Sequence, residues 1–356
     1  MTQQPESTQH SGGPTFALAA AALFGVSTPF AKLIGEDLNA FLLAGLLYLG
    51  SGLGLAVWRY GSRGAAEAPR EAALQRTDVP WMAAVVLFGG VLGPALLMFG
   101  LQSTSGSAAS LLLNLESLAT MLIAWVVYRE SVDFRLFLGA MAILVGAVLL
   151  SWDFVSISLA GGALLIAAAC ACWGIDNNLT RKISGSDPVQ IAMIKGLAAG
   201  TTNTILGLAI GAAGPTLPQI AAAGALGFVG YGISLVFFVR ALRHLGAART
   251  GAYFSTAPFV GAVIAIPLFQ EPLSIALLAA TALIALGVWL HLTENHDHWH
   301  EHEELTHDHA HVHDEHHQHT HAGGDPAGEP HTHLHAHFTM RHKHQHYPDL
   351  HHRHGH

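Results

Sequence analysis

The chain has 356 residues, and only 11% are Asp, Glu, Lys or Arg, against about 25% in an average soluble domain. Apolar types make up 51% and the mean hydropathy is +0.40, so the expected solvent for most of the chain is a bilayer, not water. The net charge of −8 resides in the last stretch: residues 296–356 carry ten acidic and three basic residues, and the body before them is close to neutral. The 16 Lys and Arg form no basic stripe, which excludes nucleic acid as a partner.

Residues 1–14 lack the positive region of a signal peptide and are read as disordered. Apolar runs long enough to cross a bilayer as helices then follow at 15–34, 39–58, 80–101, 107–127 and 134–152. A second set follows at 158–179, 188–211, 218–242, 247–269 and 273–292, with turn signals at GED (35–37), SGSDP (184–188), GPTLP (214–218) and QEP (270–272). With the N-terminus placed in the cytoplasm, the inside connections hold eleven Lys and Arg, from Arg59 to Arg249, and the outside connections hold Lys32. That asymmetry is the positive-inside pattern and puts both termini in the cytoplasm. Cys170 and Cys172, two apart on one run, are read as packing residues.

The chain resembles itself at a shift of 141 residues. Residues 101–130, ending in Glu130, match residues 242–271, ending in Glu271, and Gly146 matches Gly287. Near the start of each half Phe24-Gly25 matches Trp173-Gly174, and Lys32 matches Arg181. Five spans per half is an odd number, so the halves are expected to be inverted across the membrane, a recurring plan for secondary transporters. The predicted fold is an all-α integral membrane protein of ten transmembrane helices. They form two inverted five-helix repeats, 15–152 and 158–292, followed by a disordered C-terminal tail, 296–356.

On these residues, over roughly 15–292, the chain resembles the drug/metabolite transporter superfamily, in its EamA-type group. It departs at Ser117, which stands where the second half has Pro258. The resemblance implies transport of metabolites without ATP, and no Walker-type loop is present.

Ionisable and amide groups inside apolar runs are expensive in lipid and are functional candidates by default. Glu116 and Asn114 lie in the fourth run, Asp176 and Asn177 toward the cytoplasmic end of the sixth, and Lys195 early in the seventh. Tyr231 and Tyr253 are milder cases. Glu116 has two readings: a proton-binding site that couples transport to a proton gradient, or a carboxyl bonded to a neighbouring helix with no coupling role. Asp176 and Lys195 are expected to pair across two helices. No nucleophile–base set is legible in the spans, so an enzyme is not expected.

The tail holds 23 of the 26 histidines. They alternate with other residues at His296, His298, His300 and His302; at His307, His309, His311 and His313; at His316, His317, His319 and His321; and at His331, His333, His335 and His337. In an extended chain residues i and i+2 project to one side, and imidazole suits Ni, Co, Zn and Cu ions. The tail is read as a cytoplasmic metal-binding segment, while the body requires no cofactor. Its apolar content is too low to fold alone, so disorder without metal is expected.

Three functions follow: a secondary transporter of a small organic solute, the leading reading; an exporter of a divalent metal such as nickel, cobalt or zinc; and a membrane-anchored metal buffer or sensor. The expected partners are the lipid bilayer, a small-molecule substrate and transition-metal ions. The expected location is a bacterial inner membrane. The sequence is compatible with a homodimer.

Overall fold

The computed structural model of the chain describes residues 12–61, 72–128, 134–153, 158–159, 161–293, 297–301, 305–311, 331–337 and 341–345. The first half contributes α1 (Gly12–Ile34), α2 (Ala40–Gly61), α3 (Val79–Val85), α4 (Gly93–Leu101), α5 (Gly106–Leu112), α6 (Leu115–Tyr128) and α7 (Phe134–Ser151). The second contributes α8 (Gly161–Ile183), α9 (Pro188–Ala209), α10 (Leu217–Gly227), α11 (Ser234–Phe254), α12 (Ala257–Phe269) and α13 (Ile275–Leu292). A two-residue ladder, β1 (Trp152–Asp153) with β2 (Ser158–Leu159), joins the halves. α1 begins at Gly12, inside the stretch 1–14 expected to be unstructured. Residues 1–11 lie outside the described residues.

Among the described residues eight helical segments are long and apolar enough to cross a membrane, and a shorter apolar helix covers 137–149. α9, of 22 residues, runs beside them. Large apolar side chains such as Trp125, Val127, Ile205 and Trp289 are exposed around the outside, where lipid, not water, suits them.

Four of the runs expected to be unbroken helices are interrupted. A π-helical turn at Val86–Leu92 separates α3 from α4, and another at Phe228–Ile233 separates α10 from α11. Such turns take one extra residue and loosen the carbonyl ladder. The run 107–127 breaks at Leu113–Asn114, between α5 and α6, and the run 247–269 breaks at Ser255–Thr256, between α11 and α12. Under the 141-residue shift the first break maps onto Phe254–Ser255, one residue ahead of the second, and only the second has a proline, Pro258, just after it. In the first, the Ser117 hydroxyl donates to the Asn114 carbonyl (2.9 Å). Serine thus serves a carbonyl at the break that proline would have left to other donors. Ser105 and Gly246 are likewise equivalent. Ser105 leaves helical geometry at the start of α5 (φ −61, ψ 153), and Gly246 does so within α11 (φ 72, ψ 179), where the positive φ favours glycine.

The halves interlock. α1 packs on α11 and α12, α8 on α4 and α6, α2 on α9, and α7 on α13. Gly25 and Gly174 explain their motif. A methyl on Gly25 would overlap the Ala257 carbonyl, and one on Gly174 would stand 2.8–2.9 Å from Ala119 and the Thr120 nitrogen. Each glycine therefore lets the first long helix of one half press against the broken helix of the other. Where α8 meets α9, Asp187 accepts from the Val189 and Gln190 N–H groups (2.9 and 3.3 Å) to cap α9, and it pairs with Arg59 of α2.

β3 (Asp297–Glu301) pairs antiparallel with β6 (Arg341–Gln345), and β4 (Leu305–His311) with β5 (His331–His337). Strict alternation is a strand pattern, and pairing satisfies backbone groups without needing an apolar core. His296, His302, His313, His316, His317, His319 and His321 lie outside the described residues.

Candidate functional site

The centre of the bundle is aromatic. Phe24 of α1 meets Trp173 of α8 edge-to-face (6.1 Å, 88°), so the two motif residues that match in sequence touch in space. Phe24 also packs on Tyr231 (5.6 Å) and Phe254 (5.3 Å), and Tyr48 on Tyr231 (5.4 Å). The π-turn supplies the polar anchor. The Gly89 carbonyl accepts from both Tyr48 Oη (2.7 Å) and Trp173 Nε1 (3.1 Å), and both buried rings are thereby fixed.

Glu116 sits in the first turn of α6, just past the break, and is buried (8% exposed). Asn177 Nδ2 of α8 donates to its Oε1 (2.9 Å) and to Thr120 Oγ1 (3.1 Å). Asn178 donates to the carbonyls of Thr120 (3.0 Å) and Gly174 (2.9 Å), tying α8 to α6 again. Glu116 and Asn177, with Ser117, Phe24, Phe254 and Ser255, line a cavity of about 10 Å³. That is room for one water molecule. Asn114, at the break, donates to the Leu111 carbonyl, and among the described residues its Oδ1 has no hydrogen-bond partner.

One step along α8, Asp176 Oδ2 meets Lys195 Nζ of α9 at 2.5 Å, with side chains 5% and 3% exposed. Thr180 donates to the other carboxylate oxygen (3.2 Å). The expected pairing of Asp176 with Lys195 is therefore present. A buried ion pair holds each charge in place, and removing one partner strands the other. Asn203 donates to the Gly90 carbonyl (2.8 Å), the second carbonyl of the same π-turn that is served from outside its helix.

At the far end of α1 the closure is made by charged side chains bonded to backbone groups. Lys32 Nζ donates to the carbonyls of Leu101 and Thr104 (2.7 Å each), where α4 ends. Glu271, just after α12, accepts from the Gly106 and Ser107 N–H groups (2.6 and 3.0 Å) at the start of α5. Beside this closure opens a vestibule of about 400 Å³, lined in part by Lys32, Glu36, Met98 and Gln102.

Of the sequence candidates, Glu116, Asn114 and Asn177 gather at one point, and Asp176 and Lys195 lie next to it on α8 and α9. Tyr231 belongs to the aromatic centre. Tyr253 does not join them: it packs against Ala17, Ala241 and Leu245. Sequence reasoning did not single out Tyr48, Thr120 or the Gly89 carbonyl. Trp173 and Glu271 had a signal, as marks of internal similarity. Glu130, the partner of Glu271 in that similarity, lies outside the described residues. Among the described residues no group of three His, Cys, Asp or Glu stands close enough to hold a metal ion.

The model of the EamA-like transporter family matches residues 11–152 and 160–293, nearly the whole helical body. The chain belongs to the EamA-like transporter family. It is thus a multi-pass membrane protein in a family of transporters within the drug/metabolite transporter superfamily. It is 28% identical over 280 residues to an "Uncharacterized transporter" of Methanothermobacter thermautotrophicus, covering 72% of this chain and 79% of that one. It is 22% identical over 253 residues to the "Uncharacterized transporter YyaM" of Bacillus subtilis, covering 65% and 82%. A solved structure described as "Crystal structure of protein" has a TM-score of 0.60 at 20% identity, covering 79% of this chain and 96% of that one, a likeness of fold. The tail lies beyond the matched residues.

Proposed function

We propose that the chain is a secondary transporter for a small organic solute, built from ten spans in two inverted repeats, with Glu116 as the proton-coupling group. The observation that carries the reading is the buried Glu116 carboxylate. It is held by Asn177 across two halves, at a break in its own helix, and lines a small cavity. Buried carboxyls facing a bundle interior are the usual material of proton relays in transporters. The cavity wall combines rings, an amide, hydroxyls and a carboxylate, which suits a small organic solute with polar groups. At this size it holds no solute, which is admitted when one half rocks against the other.

The inverted arrangement is supported by the equivalent breaks and π-turns, and by the two matched segments of similar length. Asp176 and Lys195 neutralise each other and brace α8 against α9, which keeps the frame around Glu116 rigid. The tail is a transition-metal ligand that faces the same compartment as the N-terminus, the bacterial cytoplasm.

The test is transport by the full chain in proteoliposomes. A panel of amino acids, amines, sugars and nucleosides is offered with and without an imposed pH gradient, and internal pH is followed by dye. The wild type should accumulate a member of the panel with the gradient, and Glu116→Gln should transport without responding to it. An unchanged pH response in Glu116→Gln would refute the coupling role.

A further inference from the structure

The cavity at Glu116 has a carboxylate on its wall and no counter-charge there. Among the described residues that line it Glu116 is the charged one, and the other polar side chains are Ser117, Asn177 and Ser255. The neighbouring charges cancel, since Asp176 Oδ2 is bonded to Lys195 Nζ. Among the described residues the group bonded to the Glu116 carboxylate is the neutral Asn177 amide, on Oε1. An unbalanced charge at membrane depth is expensive. A solute that meets the ionised carboxylate is therefore favoured when it brings one positive charge. The vestibule at the other end of α1 differs, because Lys32 and Glu36 both line it.

The hydrogen bonds around the cavity point to the same sign independently. Asn177 Nδ2 commits both its protons, to Glu116 Oε1 and to Thr120 Oγ1. The Ser117 hydroxyl donates to the Asn114 carbonyl and the Ser255 hydroxyl to the Gly251 carbonyl, at 2.9 Å each. Every side-chain donor on the described wall is thus already used. A hydroxyl keeps its oxygen lone pairs, and an ionised carboxylate is an acceptor only. The wall therefore offers a solute acceptors. A carboxylate or phosphate group would find no side-chain donor there. An ammonium head carries N–H donors alone, and it would find Glu116 Oε2 and the two hydroxyl oxygens.

The rest of the wall is ring and apolar surface. Phe24 of α1 and Phe254 of α11, with centroids 5.3 Å apart, both line the cavity. Trp173 and Tyr231 pack on Phe24 in turn. Ring faces attract cations as well as apolar groups. An ammonium head is close to a water molecule in size, so the cavity matches the head, and the body of the solute enters as the halves rock. We propose that the transported solute is a primary or secondary organic amine carried as its monovalent cation. Its N–H groups bond to Glu116, Ser117 and Ser255, and its apolar body lies against Phe24 and Phe254. This names the substrate class of the transport site proposed above and rests on that reading.

The experiment compares probes that share a phenylethyl body and differ in charge: phenethylamine, phenethyl alcohol, phenylalanine and phenylpropionate. Binding to the purified full chain in detergent is measured by isothermal titration calorimetry in mildly alkaline buffer. Phenethylamine should bind tightest, by about tenfold or more over the alcohol, because its bond to the carboxylate is charge-assisted. In Glu116→Gln the amine and the alcohol should come within about threefold of each other. Phe254→Leu should weaken the amine by about threefold and move the alcohol less. The wild-type series and Phe254→Leu decide the matter even if Glu116→Gln does not fold. Equal or tighter binding of the alcohol, the zwitterion or the anion overturns the amine assignment and leaves the transporter reading, as does failure of every probe to bind. An amine preference retained in Glu116→Gln overturns it too, since the amine is then held elsewhere. If the preference depends on Glu116 while the pH response of transport does not, the coupling role fails and the amine class stands.

Discussion

Glu271→Gln tests the closure at the Lys32 end of the bundle. The carboxylate accepts from two backbone N–H groups, those of Gly106 and Ser107, and both residues are buried. A hydrogen bond to a charged group contributes about 1.5–3 kcal/mol, and a buried donor left unserved costs about 1–3 kcal/mol. Glutamine keeps one neutral acceptor and turns an NH₂ toward the other donor. One bond is weakened and one is lost, for a total of about 3 kcal/mol. At roughly 2–4 °C per kcal/mol for a chain of this size, the midpoint of thermal unfolding in detergent should fall by roughly 6–12 °C. Differential scanning fluorimetry on the purified variant reads this directly. Glu271→Asp keeps the charge on a shorter arm and should fall between the two. A Glu271→Gln midpoint within 1 °C of wild type would show that the N–H groups of α5 are served by water, and the closure argument would fail.

Other consequences follow from the same geometry. Lys195→Met strands the buried Asp176 charge and should destabilise by about 3–5 kcal/mol, whereas Lys195→Met with Asp176→Asn should recover more than half of that loss in the same thermal assay. No recovery would mean that the pair is held by packing alone. Gly174→Ala places a methyl 2.8–2.9 Å from Ala119 and the Thr120 nitrogen, a backbone contact that cannot swing away. A loss of about 1–3 kcal/mol is expected, with transport reduced because α6 carries Glu116; an unchanged midpoint and rate would contradict the tight crossing. Truncation after Asn295 should leave transport of the organic solute intact and remove Zn²⁺ binding. If cells expressing the truncated chain lose a tolerance to nickel, cobalt or zinc, together with metal efflux conferred by the intact chain, the metal-export reading takes precedence.

The broad fold was legible because a bilayer imposes one simple demand, apolar length, on every span. Internal similarity also pointed to equivalent residues, and Phe24 and Trp173 do meet. The candidate site was legible only in part. Glu116 and Asp176 were found because a charge in an apolar run is costly wherever it sits. Hydropathy reports the solvent of a residue and carries no record of its partner. That Glu116 takes Asn177, that Asp176 faces Lys195, and that Tyr253 turns away to Ala17 depend on how α6, α8, α9 and α11 cross. The π-turn at Val86–Leu92 was hidden for the same reason: its Gly89 and Gly90 carbonyls are served by Tyr48, Trp173 and Asn203, which lie far away in sequence.

In the tail, likewise, the sequence by itself determined which residues alternate. Tertiary pairing alone decided that histidine stands against histidine, because alternation has a period along one strand, whereas register is a relation between two. The sequence thus determined where this protein meets lipid and which charges lipid makes costly. The partners of those charges were decided by packing, since they come from helices that are neighbours in space alone.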